Sequence, residues 1–240
     1  MEIALRTLYQ SKTKNMKLIF ILFFFCGLQT LVAQDNVIEV QLQSFKEVKV
    51  YDGLSVKLIK SDSNRAIMNG EDTDKVVLVN NDGVLKIRMQ ITKFFSGYRT
   101  FIDLYYDGEV VVIDVNEDAT IRSADTLKQN ILELKAQEGG ELKIQAEVEQ
   151  MLIKAVSGGM IETQGSAEVQ DVQINTGGVY EGKELRSKLS TINVNAGSRA
   201  EVYATDYVRA SVKAGGEVRV YGNPARLEEK TVFGGVIKKM

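Results

Sequence analysis

From residue 116 to the C-terminus, apolar and polar residues alternate with period two, and glycine breaks the alternation at even intervals. The glycines are Gly139, Gly158, Gly177, Gly197, Gly215 and Gly234, spaced by 19, 19, 20, 18 and 19 residues; all but Gly197 precede a second glycine. Other columns keep step with them. Three residues past each glycine stand Leu142, Ile161, Tyr180, Ala200, Val218 and Ile237, all apolar; the next position holds Lys143, Glu162, Glu181, Glu201, Arg219 and Lys238, all charged. Upstream, apolar columns at Leu134, Ile153, Val172, Ile192, Ala210 and at Ala136, Ala155, Ile174, Val194, Val212 flank a polar one at Lys135, Lys154, Gln173, Asn193 and Ser211. Alternation of this kind marks a strand with one buried face. The pattern predicts two inward-facing strands per unit, joined by short turns. One turn is marked by glycine, which supplies positive φ or lets two backbones approach closely.

A register held through six copies requires stacked units. Helical repeats do not fit a period of two. An antiparallel meander has no reason to keep one register at 19 residues. A parallel β-solenoid does, because each copy is one coil and like positions sit about 4.8 Å apart. Ala136, Ala155, Gly165, Gly182 and Ala204 suit a narrow bore. Residues 37–115 keep the β character without the lock: Phe45 to Val50 and Leu54 to Leu58 alternate around Asp52-Gly53, and Asn81-Asp82-Gly83 reads as a hairpin turn. This half is expected to form less regular coils and to cap one end, with residues 116–240 as the regular repeat of a single domain spanning 34–240. Glu229, Lys230 and Lys239 break the pattern in the last copy, where charge discourages edge pairing.

Charge and composition then narrow the function. The chain has 240 residues, with 30 Lys+Arg against 32 Asp+Glu, no histidine and one cysteine. A net charge of −2 opposes nucleic-acid binding, and the lack of histidine removes the commonest general base and metal ligand. Residues 18–28, LIFILFFFCGL, follow Lys12, Lys14 and Lys17 and precede Leu31-Val32-Ala33. This is the pattern of a secretory signal over residues 1–33, with Met16 as an alternative start. Cys26 reads as part of its apolar run, since Phe25 and Phe23 occupy the positions where a lipoprotein site wants a small residue and a leucine.

Three segments carry a family resemblance: Phe45-x-x-Val48-x-Val50-x-x-Gly53-Leu54-x-Val56-x-Leu58, Ile174-Asn175-Thr176-Gly177-Gly178, and Val212-Lys213-Ala214-Gly215-Gly216-Glu217-Val218. Over roughly residues 40–225 the chain resembles the head GIN domain family, described as auto-transporter adhesins and frequent in exported proteins of Bacteroidetes. The resemblance implies a single-stranded, right-handed β-helix. It brings no catalytic residues.

Candidate chemistry is sparse. Glu162, Glu181 and Glu201 fall in one outward column, where like charges on neighbouring strands repel. They either form a calcium ladder or splay into water between Lys143 and Arg219. Phe94, Phe95, Tyr98, Phe101, Tyr105 and Tyr106 cluster around Ser96-Gly97. The cluster is expected first to plug the solenoid end or pack inside a wide coil; alternatively Phe95 and Tyr98, the pair expected to be exposed, stack on a sugar or anchor a partner. Asn175 and Asn195 are equivalent positions, open to an amide ladder. The Gly-Gly pairs lack the helix and Lys-Ser/Thr of a phosphate loop. The reading is an exported cell-envelope binding or adhesion module, not an enzyme, with an external glycan or protein as partner and no cofactor other than Ca²⁺ at the glutamate column. Alternatives are a carbohydrate-active enzyme using surface carboxylates, or a self-associating envelope protein.

Overall fold

The computed structural model describes residues 37–93 and 96–240. The expected export signal, with Cys26, lies outside the described residues, as do Phe94 and Phe95. The fold is an all-β solenoid of about seven turns whose strands join into one sheet around one apolar core.

The N-terminal half supplies β1 (Ile38–Gln41), β2 (Glu47–Val50), β3 (Ser55–Lys60), β4 (Arg65–Gly70), β5 (Val76–Asn81), β6 (Val84–Met89), β7 (Thr100–Tyr106), β8 (Val112–Val115) and β9 (Thr120–Ser123). These strands do not stack in chain order. β2 and β3 make one coil; β6 and β7 lie parallel to them on one side, and β8 and β9 on the other. The first coil of the chain is thus held between two later ones. Its interior residues Val48 and Val56 stack on Leu85 and Ile102 above and on Ile113 and Ile121 below. β5 turns back antiparallel along β6 through Asp82-Gly83 (φ 51° and 80°), the primed turn expected of that pair. β4 runs antiparallel to both β7 and β1. The outer edge of the β6–β7 coil is therefore paired. The less regular coils over 37–115 take the form of three parallel coils, one out of order, and three antiparallel strands. No 19-residue lock exists here because rungs stack across 37 to 65 residues of chain.

The regular half continues with β10 (Leu127–Ala136), β11 (Glu141–Ala155), β12 (Met160–Ile174), β13 (Val179–Val194), β14 (Arg199–Lys213), β15 (Glu217–Tyr221), β16 (Arg226–Val232) and β17 (Val236–Lys239). Ala136, Ala155, Ile174, Val194 and Val212 stack directly, as do Leu142, Ile161, Tyr180, Ala200, Val218 and Ile237. The coils of β11, β12, β13 and β14 are each one continuous strand of 15 or 16 residues and not two strands joined by turns, whereas the last coil has two, β15 and β16. The second corner is a slip in the alternation. Glu149 and Gln150 both face outward, so the strand changes face while its ladder to β12 resumes at Gln150. The 20- and 18-residue spacings around Gly197 appear as register shifts at Glu162/Gln164 and Gly182/Arg186.

At the glycine corner each coil makes a primed turn, as at Glu138-Gly139 (φ 53° and 78°), closed by Gly140 N–H donating to Gln137 O at 3.0 Å. Successive turns are tied as well: Gly158 N donates to Thr176 O and Gly177 N to Ala196 O. The second glycine serves a different need. A Cβ on Gly159 would stand 2.2 Å from Ala136 O. Ser198 takes this place in the Gly197 coil without disturbing the turn; it is buried, and its Oγ donates to Asn195 O at 2.6 Å.

One stretch of the bore is polar. Fully buried Tyr180 donates from Oη to Gln170 Oε1 at 3.2 Å and lies 2.9 Å from Thr163 Oγ1. Gln170 Nε2 donates to Ser187 Oγ (2.8 Å) and Tyr203 O (2.9 Å), so the group satisfies itself without water. Gly182 makes room for the ring, since a Cβ there would meet Tyr180 Cζ and Oη at 2.3 Å. At the C-terminal end, Glu229 and Lys239 stand in the interior columns below Ala210 and Val220. Inward charge at an edge opposes further strand addition.

Candidate functional face

One face carries two outward columns through nine rungs, from β7 at the capped end through β3, β9 and β11–β15 to β17. The first column runs Phe101, Ser55, Thr120, Glu141, Met160, Val179, Arg199, Glu217, Val236; the second runs Asp103, Lys57, Arg122, Lys143, Glu162, Glu181, Glu201, Arg219, Lys238. These residues point outward because their neighbours Ile102, Val56, Ile121, Leu142, Ile161 and Tyr180 are drawn into the core. At about 4.8 Å per rung the face is roughly 40 Å long.

Its charges come in blocks: three cations from Lys57 to Lys143, three carboxylates from Glu162 to Glu201, then Arg219 and Lys238. The carboxylate block is the predicted column, assembled in register. Both of its ends are neutralised. Lys143 Nζ sits 2.8 Å from Glu162, and Arg219 sits 3.1 Å from Glu201, with Lys183 at 3.9 Å. Glu181, between them, has no hydrogen-bond or ion-pair partner among the described residues. With Glu201, Glu217, Arg199 and Arg219 it borders a depression of about 140 Å³. Among the described residues no group of three or more Asp, Glu, His or Cys side chains is placed to hold a metal ion. Lys238 and Arg219 hold the Glu217 carboxyl below the usual range.

The cation block lies toward the capped end. A groove of about 550 Å³ runs there between Lys57, Arg122 and the ring of Phe101, which is 49% exposed. The hydroxyls of Ser55, Thr120 and Ser123 line it, and Ser123 Oγ accepts Gln145 N–H at 2.9 Å. Lys57 and Arg122 face each other on adjacent rungs, and neither has an ion-pair partner among the described residues.

Of the predicted aromatic pair, Phe95 lies outside the described residues. Tyr98 is half exposed, and part of its role is structural: its Oη donates to Asp118 Oδ2 at 3.0 Å, and its ring covers Gly53. Phe101, in the aromatic cluster but not in the pair expected to be exposed, faces outward, consistent with the alternation of Phe101 and Asp103 with Ile102 and Leu104. Lys57 and Arg122 were out of reach, because nothing in the sequence pairs positions 65 residues apart. The candidate asparagine ladder shows no side-chain bond between Asn175 and Asn195 among the described residues. In the same turn column, Gln137 donates to Asn116.

Among the described residues two acids are buried. Burial raises the Asp114 carboxyl, against the pull of Lys49 at 3.7 Å. Asp52, 1% exposed, accepts Met89 N–H at 2.9 Å, and burial together with Asp52 raises its neighbour Glu117. Asp52 sits in the turn ladder, closed to any substrate.

A family model described as "Putative auto-transporter adhesin, head GIN domain" matches residues 44–224. Among the solved structures that share the fold are the following three. One, titled a putative adhesin from Bacteroides fragilis, is 16% identical with a TM-score of 0.77, covering 85% of this chain and 96% of that one. A second, titled a putative adhesin from Parabacteroides distasonis, is 17% identical with a TM-score of 0.67, at 85% and 96% coverage. A third, titled a putative lipid binding protein from the same species, is 16% identical with a TM-score of 0.65, at 87% and 98% coverage. No curated protein matches the chain. Among the described residues no helix is long and apolar enough to cross a membrane.

Proposed function

Since this chain belongs to the family described as "Putative auto-transporter adhesin, head GIN domain", we propose that it is an exported binding module of the cell envelope that holds an external glycan or protein and performs no chemistry of its own. The observation that carries this reading is the nine-rung face. A stacked sheet fixes its side chains at regular spacing on a rigid support, which suits recognition of an extended partner. An acid–base mechanism needs sheltered, pKa-shifted groups within reach of substrate. Here the most sheltered acid, Asp52, is enclosed by the turn ladder. Neither end of the stack favours self-association through strand pairing: antiparallel strands edge the β6–β7 coil, and Glu229 and Lys239 point into the other end.

The test is binding of the purified chain to a glycan array and to whole cells, beside a charge-reversed variant of the face (Glu181→Lys with Arg122→Glu). Saturable binding that the variant alters is expected. Absence of saturable binding to every glycan and cell surface, or turnover of a bound glycan, overturns the proposal.

A further inference from the structure

We infer that the groove at the capped end of the face is a subsite for an acidic saccharide, with Lys57 and Arg122 holding a carboxylate or sulfate and Phe101 stacking on a sugar ring. The inference rests on the binding-module reading and adds a ligand class and a place.

Lys57 and Arg122 are directly opposed in parallel register, about 4.8 Å apart along the stack. Like charges so placed repel; the carboxylate block further along this face is relieved at both ends by ion pairs, Glu162 by Lys143 and Glu201 by Arg219, with only Glu181 between them unpaired among the described residues. Lys57 and Arg122 are left without such relief. Asp103, one rung further toward the cap, forms no ion pair with Lys57 among the described residues. The guanidinium matches a carboxylate or sulfate through two parallel hydrogen bonds, and the ammonium adds a mobile second charge.

The ring beside them selects the rest of the ligand. Phe101 sits in the first column, one rung from Ser55 and two from Thr120, whose hydroxyls have no hydrogen-bond partner among the described residues. An apolar ring face flanked by hydroxyls and a carboxylate (Asp103) matches a sugar, which offers C–H groups on one side and hydroxyls at its rim. The cation block covers three rungs, or about 10 Å, before Glu162 begins. A long polyanion running down the face would meet three carboxylates, so the site fits a short acidic epitope and not a nucleic-acid strand.

The test is calorimetric titration of the chain with tetragalacturonate, a heparin tetrasaccharide, maltotetraose and a short oligothymidylate, in wild type, Lys57→Ala/Arg122→Ala, Phe101→Ala, and Lys154→Ala/Lys213→Ala as a charge-matched control on other parts of the surface. The expected result is binding of at least one acidic saccharide, with the uronate and sulfate arms showing which acid group is preferred. Maltotetraose and oligothymidylate should bind at least about tenfold more weakly, and each groove variant should lose about tenfold or more while the control keeps its affinity. All substituted positions are outward-facing, so circular dichroism and melting should match wild type. No binding of either acidic saccharide, equal loss in the control, or equal affinity for oligothymidylate overturns the proposal. Glycan-array binding that survives both groove variants sinks this subsite alone and leaves the binding-module reading standing.

Discussion

Gly182→Ala tests the packing of the solenoid bore. The backbone at Gly182 is not left-handed, so alanine carries no conformational penalty and the effect is steric. The added methyl would lie 2.3 Å from Tyr180 Cζ and 2.5 Å from Cε1. Overpacking of a closed core costs about 1–3 kcal/mol. The ring can yield only by straining its contacts to Thr163 and Gln170, each worth about 1 kcal/mol. The expected loss is therefore about 3–5 kcal/mol. In a Tyr180→Leu background the colliding atoms are gone, and the same substitution should cost no more than about 1 kcal/mol, a coupling of roughly 2–4 kcal/mol. Urea titrations followed by circular dichroism and by tyrosine fluorescence would measure all four corners of the cycle, and coincident curves would license a two-state reading. Equal losses in both backgrounds would refute the reasoning, since the cost would then not come from the ring.

Further predictions separate the parts of the design. Gly158→Ala meets no atom within 4 Å but holds φ at 77°, so it should lose about 1–2 kcal/mol, whereas Gly159→Ala, facing Ala136 O, should lose about 3 kcal/mol or more in the same melts. Burial pushes the Tyr180 phenol well above the usual tyrosine range, so the fold favours its neutral form. That stability is complete below about pH 10 and is lost as pH climbs toward the folded-state value; alkaline melting curves should show the loss, and Tyr180→Phe should flatten it, leaving the smaller same-direction effects of Tyr51 and Tyr106. Millimolar calcium should leave the melting temperature unchanged, because Glu162 and Glu201 already face cations; a rise abolished by Glu181→Gln would instead place the ion at the column.

The sequence disclosed the regular half in detail because a coil that stacks on its immediate successor repeats its constraints at fixed spacing. Leu142 predicts Ile161, and Ile161 predicts Tyr180, since each fills the bore above the next. The glycine pairs were legible for the same reason, and Ser198 shows that the second position demands a small, satisfied side chain more than it demands glycine. The corner at Glu149-Gln150 was hidden, because two outward residues in a row look like a break between strands. The capped end was hidden more deeply. Val48 rests between Leu85 and Ile113, and no local pattern reveals neighbours that distant. The groove cations shared that concealment: Lys57 and Arg122 meet only through the out-of-order stacking.

That stacking constrains how the molecule assembles. A coil in the regular half has one of its two supports in place as soon as it is synthesised, so growth there is local and fast. The β2–β3 coil has neither support when it appears; both arrive later, the second only with residue 123. When the N-terminus leads, the segment around Val48 and Val56 must wait as an unclaimed strand pair until residues 84–123 arrive to enclose it from both sides. Closing that long loop is the slow, entropically costly event of assembly.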